Sequence, residues 1–208
     1  MNMKVLHLDS SVLSDNSVSR QLTARIVAQL RAANPAAEVT YRDLGTEAPA
    51  HLSAEILATR FVPAEQWNDV QKREAALTEA MLAEFLAADV IVIGAPMYNF
   101  SVPTQLKAWI DRIAQVGRTF KYTENGPVGL AGGKKVIVAS SRGGMYSVSE
   151  ASRAMDFQED YLRAVMGFVG ITDVSIVRAE GVNMGAEVKG KALDAANNEI
   201  EELLVEAA

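Results

Sequence analysis

Residues 89–100 read Asp89-Val-Ile-Val-Ile-Gly94 and then Ala95-Pro-Met-Tyr-Asn-Phe100, and the fold turns on this stretch. Four consecutive β-branched residues leave no alternation of apolar and polar positions. A strand of that kind is covered on both faces, which places it inside a parallel sheet with helices on either side. A half-solvated antiparallel strand would carry a polar residue at every second position.

Outward from this strand the pattern repeats. Upstream, Glu74 to Ala87 predicts an amphipathic helix with Leu77, Met81, Leu82 and Phe85 on its inner face. Further back, Lys4-Val-Leu-His-Leu8 predicts a first strand. Val18 to Ala33 predicts a helix with Leu22, Ile26, Val27 and Leu30 on one side, stopped by Asn34-Pro35. Glu38 to Arg42 alternates and suits a strand near an edge. Downstream come a helix over 103–116 opened by Pro103, a strand over 135–140 and a helix over 157–169. A strand over 173–178 and a terminal helix over 187–205 complete the series. Strands alternating with helices define a three-layer, doubly wound α/β fold. Five strands suit the flavodoxin-like parallel order 2-1-3-4-5 better than a six-strand dinucleotide fold. The reading is one domain over residues 1–208.

Segments 43–72 and 117–134 show no clear period and carry Phe61, Trp67, Phe120 and Tyr122. Aromatic anchors in long connections belong either to a subunit contact or to packing on their own domain.

Composition narrows the function. A net charge of −6 argues against a nucleic-acid partner, which a Lys/Arg surplus would serve. The absence of cysteine removes thiolate nucleophiles and Cys-based metal sites, and two histidines are too few for a His-rich centre. No apolar run approaches the roughly 20 residues of a membrane span, and the start lacks a signal-peptide core. A cytoplasmic protein without a resident metal is the expectation.

In a doubly wound sheet, ligands bind beyond the carboxyl ends of the strands, where strand order reverses. Three loops there are unusual. The first holds five serines in residues 10–19 and opens directly into a helix. Helix N-terminal amides with hydroxyls beside them form a phosphate site, although a single serine there is only a cap. No Gly-x-x-x-x-Gly-Lys-Ser/Thr or Gly-x-Gly-x-x-Gly follows strand one, which disfavours a nucleoside polyphosphate or a dinucleotide. Gly129-Leu-Ala-Gly-Gly-Lys134 precedes a strand and reads as a turn. The second loop, Pro96-Met97-Tyr98-Asn99-Phe100, offers apolar faces and a polar rim, which suits a flat heteroaromatic ring or a loop tucked on the core. The third, Ser140-Ser141-Arg142-Gly143-Gly144, is a glycine turn or a nest of backbone N–H groups for an anion.

Together with Tyr122-Thr-Glu-Asn-Gly-Pro127, Gly133-Lys-Lys135 and Gly170-Ile-Thr-Asp173, these loops resemble the bacterial FMN-dependent NADH azoreductases, also described as NADH:quinone oxidoreductases. The resemblance spans essentially the whole chain. It implies one non-covalent FMN per subunit. Ser11, Ser17, Val18 and Ser19 would take the phosphate. Met97, Tyr98, Asn99 and Phe100 would line the isoalloxazine, and Ser141, Arg142, Gly143 and Gly144 its pyrimidine side. It further implies a homodimer with shared active sites and a ping-pong, two-electron cycle from NADH or NADPH to quinones and azo compounds. No catalytic side chain is then required. Phe100 and Tyr122 are the expected stacking surfaces for the acceptor. Where some members have a histidine after the double glycine, this chain has Met145-Tyr146. A one-electron flavodoxin carrier, a phospho-receiver module and a low-molecular-weight phosphatase are the rivals. The first would normally be shorter and more acidic. The second needs carboxylates where Pro96 and Ser141 stand, and the third, in its cysteine form, needs a cysteine.

Overall fold

A computed structural model describes residues 2–205. Its strands and helices are β1 (Lys4–Asp9), α1 (Val18–Ala33), β2 (Glu38–Asp43), α2 (Ala54–Ala58), α3 (Asp69–Ala87), β3 (Val90–Pro96), α4 (Thr104–Ile113), β4 (Phe120–Thr123), β5 (Gly126–Gly129), β6 (Lys135–Ser141), α5 (Glu150–Arg153), α6 (Glu159–Phe168), β7 (Asp173–Ala179) and α7 (Ala186–Val205). Five strands form one parallel sheet in the order β2-β1-β3-β6-β7. Because β4 and β5 form a separate antiparallel hairpin, this is the expected 2-1-3-4-5 order counted over the sheet strands alone.

The central strand behaves as its sequence dictates. All seven residues of β3 are buried, and their side chains divide between two cores. Ile91, Ile93 and Ala95 join Phe85, Leu106, Trp109 and Leu162 beneath α3, α4 and α6. Val90 and Val92 join Leu22, Ile26, Ala196 and Ile200 beneath α1 and α7. Alternating side-chain direction along one apolar strand therefore feeds both layers. α1 and α7 cover one face; α3, α4 and α6 cover the other.

Differences from the sequence reading lie at element ends and in the long connections. α3 begins at Asp69 instead of 74, because Asn68 and Gln71 form a reciprocal capping box ahead of the apolar positions. α4 stops at Ile113 instead of 116. There Thr119 donates to the Ile113 carbonyl and accepts from the Gln115 amide, turning the chain into β4. Segment 117–134, read as irregular, carries the β4–β5 hairpin, while 43–72 carries the short α2, a 3-10 turn and the first turn of α3. The glycine-rich 129–134 stretch, read as a turn, starts with the last residue of β5 and runs on as an irregular link to β6, its amides at Leu130 and Ala131 donating to Thr119 O and Val169 O. A Cβ on Gly129 would stand 2.1 Å from the Gly170 nitrogen, and Lys134 Nζ donates to the last carbonyls of the α3 end, Leu86 and Ala88.

Candidate active site at the strand ends

The carboxyl ends of β1, β3, β6 and β7 meet at one rim, tied by short backbone bonds. Met97 N donates to Ser141 O (2.8 Å), and Arg142 N donates to Ala179 O (2.9 Å). The hydroxyl of Ser10 donates to Gly94 O at 2.6 Å, fixing the first loop against β3. A cavity of about 100 Å³ opens between these loops. It is lined by Ser11, Ser17 and Val18 from the first loop and the start of α1, by Pro96, Met97 and Tyr98 from the end of β3 and the second loop, and by Ser141, Gly143, Val182 and Asn183 from the third loop and the segment after β7. Small-molecule pockets run to roughly 300–1,000 Å³, so this cavity encloses one end of a ligand and leaves the rest to the open rim. Tyr98 also lines a much larger groove of about 1,200 Å³ between α4 and α6, with Val102, Phe157 and Tyr161.

The first loop is built for an anion. Ser17 is the N-cap of α1, accepting from Arg20 N (3.3 Å) and sharing a hydroxyl contact with Ser19 (3.1 Å). Ser11, Ser17 and Ser19 are all buried. As first-turn residues, Val18 and Ser19 have amide N–H groups without helical acceptors, at the positive end of the α1 dipole. Arg20 braces this loop from behind: Nη2 donates to Ser11 O (2.9 Å) and to Asp43 Oδ1 (2.5 Å). Gly45 makes the approach possible, since a Cβ there would lie 2.3 Å from Ser11 O. Asp9 is turned away, accepting from Thr23 (2.8 Å) and Tyr41 (3.1 Å). Burial alone would raise its pKa, but His7, Thr23 and Arg20 together hold it below the ordinary value.

The second loop is strained. Asn99 and Phe100 have φ of 48° and 73° between the bridged residues Tyr98 and Ser101. Two successive positive φ values define a type I′ turn, a conformation that Asn tolerates and Phe does not. The reward is exposure: Phe100 stands 44% exposed at the rim, edge-on to Tyr146 with centroids 6.2 Å apart. The Tyr98 hydroxyl lies 3.2 Å from that of Ser11, linking the second loop to the first.

The third loop presents donors with nothing to donate to. Carbonyls of Arg142, Gly143 and Gly144 accept from Val182 N, Asn183 N and Gly181 N. The amides of Gly143 and Gly144 have no acceptor among the described residues. Arg142 is placed differently from its neighbours. Its side chain is 1% exposed and turned into the protein, pairing with Glu159 (2.5 Å), Asp156 (2.7 Å) and Glu180 (2.8 Å). Its backbone N–H and carbonyl are also taken, by Ala179 O and Val182 N. Glu180 in turn accepts from the amides of Tyr146 (3.0 Å) and Ser147 (3.1 Å) and from the Ser147 hydroxyl. Burial pushes the Glu180 carboxyl upward, yet Ser147, Arg142 and the Tyr146 amide outweigh it and hold the pKa below its ordinary value.

Of the twelve candidate cofactor residues, Ser11, Ser17, Val18, Met97, Tyr98, Ser141 and Gly143 line the cavity and Asn99 the larger groove. Ser19, Phe100 and Gly144 stand beside them in the same three loops, and the Arg142 side chain faces inward. Tyr122 is not gathered there: it is 69% exposed on the β4–β5 hairpin and lines neither cavity. Sequence reasoning missed Arg20, Gln158, Glu180, Asn183 and Lys189. Only Arg20 had a local signal, three residues after the cap. Gln158, which donates to Ala95 O (2.8 Å) and accepts from Ser140, and Glu180 act across long sequence separations. Among the described residues no cluster of His, Cys, Asp and Glu could hold a metal, and no helix is long and apolar enough to cross a membrane.

This rim, on a sheet of this order, marks the flavodoxin-like class. The chain belongs to that family, described as having a flavodoxin-like fold, whose model matches residues 3–204. Its relatives narrow the class. An FMN-dependent NADH:quinone oxidoreductase of Polaromonas naphthalenivorans (strain CJ2) is 63% identical, over 95% of this chain and 91% of that protein. One from Azospirillum brasilense is 61% identical, over 99% and 100%. Among solved structures, an azoreductase from Bacillus anthracis str. Sterne superposes with a TM-score of 0.87 at 29% identity, covering 97% of this chain and 98% of that one. An FMN-dependent NADH-azoreductase from Bacillus anthracis str. Ames Ancestor in complex with FMN gives 0.87 at 26% identity, over 98% and 99%.

Proposed function

We propose that this chain is an FMN-dependent NADH:quinone oxidoreductase that also cleaves aromatic azo compounds, acting as a cytoplasmic homodimer with one active site per subunit. The observation that carries the reading is the pairing of two donor sets across one cavity. Unpartnered first-turn amides of α1, with Ser11 and Ser17 in the cavity lining, would take a phosphate. The unpartnered amide of Gly143, also in the lining, with that of Gly144 beside it, would meet the anionic side of a ring. The residues present fit FMN, which when bound supplies two-electron transfer from nicotinamide to acceptor.

The protein's own part is position and electrostatics. Ser11, Ser17, Val18 and Ser19 fix the phosphate. Pro96 and Met97 give an apolar bed, and the Tyr98–Ser101 turn lifts Asn99 and Phe100 to the ring's edge. Gly143 and Gly144 present fixed N–H dipoles where negative charge develops, an oxyanion-hole type of stabilisation that needs no reorganisation. Ser141 and the Arg142 backbone set the pitch of that loop. No side chain need move a proton in this scheme. Donor and acceptor would use the same open face in turn, which supports a ping-pong cycle. A second copy of the chain suits the groove between α4 and α6, flanked by exposed Phe157 and Met155. Only such a copy could bring Tyr122 to an acceptor.

Purified protein should be yellow, release FMN on denaturation and bleach anaerobically with NADH. Initial rates against quinone at several NADH concentrations should give parallel double-reciprocal lines. A folded, colourless protein that takes up no added FMN in calorimetry overturns the proposal. A monomer in light scattering, still fully active, overturns the shared-site part alone.

A further inference from the structure

The cavity between the first and third loops has one charged residue in its lining, Lys189. Its neighbours in the lining are neutral: hydroxyls, amides and apolar side chains. Arg20 and Arg142, the other cations near the rim, are already committed, the first to Asp43 and the second to three carboxylates. Lys189 is half-buried, and no described carboxylate lies within ion-pair distance of its ammonium. The contrast with its neighbour on the same helix is direct. Lys191 pairs with Glu187 at 2.6 Å, one turn earlier, and is exposed.

Lys189 stands in the first turn of α7, at the end of the helix whose dipole draws anions. An anion in the cavity gives the ammonium a charged partner and the helix end a negative neighbour. α7 packs beside α1 on the same face of the sheet, and Lys189 lines the same cavity as Ser17 and Val18 at the α1 N-terminus.

We infer that Lys189 is the cationic recognition residue for the phosphomonoester of the flavin, the group by which this site selects FMN over riboflavin. Neutral donors at the α1 N-terminus hydrogen-bond the phosphate oxygens, and Lys189 neutralises part of the dianion's charge. The inference rests on the proposed function, since it assigns a role at the same site.

The test is flavin binding to apoprotein, read by quenching of flavin fluorescence, for wild type, Lys189→Met, Lys189→Gln and Lys189→Arg. A charge-assisted contact at a half-exposed position should raise the Kd for FMN about tenfold in the Met and Gln variants. Riboflavin affinity should stay unchanged, and Lys189→Arg should keep the preference for FMN. The salt dependence of FMN binding should weaken in the neutral variants, because one fewer charge contact is screened. An unaltered FMN-to-riboflavin ratio in both neutral variants, or an equal loss for both flavins, overturns the role of Lys189. Wild-type protein that binds neither flavin overturns the oxidoreductase reading instead, so the two failures are separate.

Discussion

The two ends of the candidate site are held in opposite ways. The loop after β1 is organised mainly by the helix it opens: Ser17 caps α1, Ser19 supports Ser17, and Arg20 holds the Ser11 carbonyl. Ser10 on Gly94 O and Ser11 beside Tyr98 are its ties to β3 and the second loop. The loop after β6 is organised from a distance. Arg142 reaches Asp156, Glu159 and Glu180, and Glu180 reaches back to the amides of Tyr146 and Ser147. The lesson is that a loop opening straight into a helix is set mainly by that helix start, with Arg20 as its brace. Two glycine amides at a fixed pitch sit instead on a buried frame of one arginine and three carboxylates. The Arg142 charge lies inside that frame.

The largest expected effect follows from breaking the frame. Arg142→Leu leaves Asp156, Glu159 and Glu180 without their common partner in a buried setting. Removal of one member of such a network costs about 3–5 kcal/mol, and urea unfolding should show it. Flavin that does bind should have a lowered affinity for both FMN and riboflavin, because the ring end is disturbed. A cost under about 1 kcal/mol would show that the ionic frame does little more than a capped helix start.

The phosphate end should respond more gently. Ser17→Ala removes the cap of α1 and one donor of the proposed phosphate site, at about 1 kcal/mol of stability. Its loss in binding should fall on FMN and spare riboflavin, the reverse of the Arg142→Leu pattern. If both variants weaken the two flavins alike, the division of labour between the loops is lost.

This contrast also explains what could be read in the chain beforehand. The sheet and its order were legible because Val90–Ile93 and Val136–Val138 lack alternation and lie between amphipathic helices. The phosphate end was legible because its donors are contiguous in sequence. The inward turn of Arg142 was not, since its partners lie 14, 17 and 38 positions downstream and each looks like an ordinary surface acid. Lys189 escaped notice for the same reason: only the packing of α7 against α1 brings it to the first loop. The β4–β5 hairpin was hidden by its length of four residues per strand, too short for a period to show.

Between the two ends lies the strained turn. A non-glycine residue held at positive φ costs about 1–3 kcal/mol, and Phe100 is such a residue. Phe100→Gly should relieve this strain, partly offset by glycine's greater freedom when unfolded, for a net gain of about 1 kcal/mol or less. Quinone KM should rise more than NADH KM, because the aromatic surface lost at the rim is the one expected to stack the acceptor. Unchanged quinone kinetics would leave the strain without a use at this site.

The smallest effect separates the ends by acid. Glu180 titrates below its ordinary 4.5 in the folded protein, burial being outweighed by Ser147, Arg142 and the Tyr146 amide. Asp43 likewise lies below 3.8, with Arg20 and the Gly45 amide outweighing its burial. A carboxyl with a depressed folded pKa stabilises the fold fully above its unfolded value, and the contribution fades as pH falls through the folded one. Stability should therefore decline from about pH 5 downward. Glu180→Gln removes the ring-end share of that decline and Asp43→Asn the phosphate-end share, each giving a shallower acid limb in melting temperature against pH. Flavin binding should then divide them: the acid loss of riboflavin, which depends on the ring end, should persist in Asp43→Asn and flatten in Glu180→Gln, since protonating Glu180 weakens its hold on the Tyr146 and Ser147 amides. Parallel acid limbs in wild type and Glu180→Gln would mean that this carboxyl does not hold the loop through its charge.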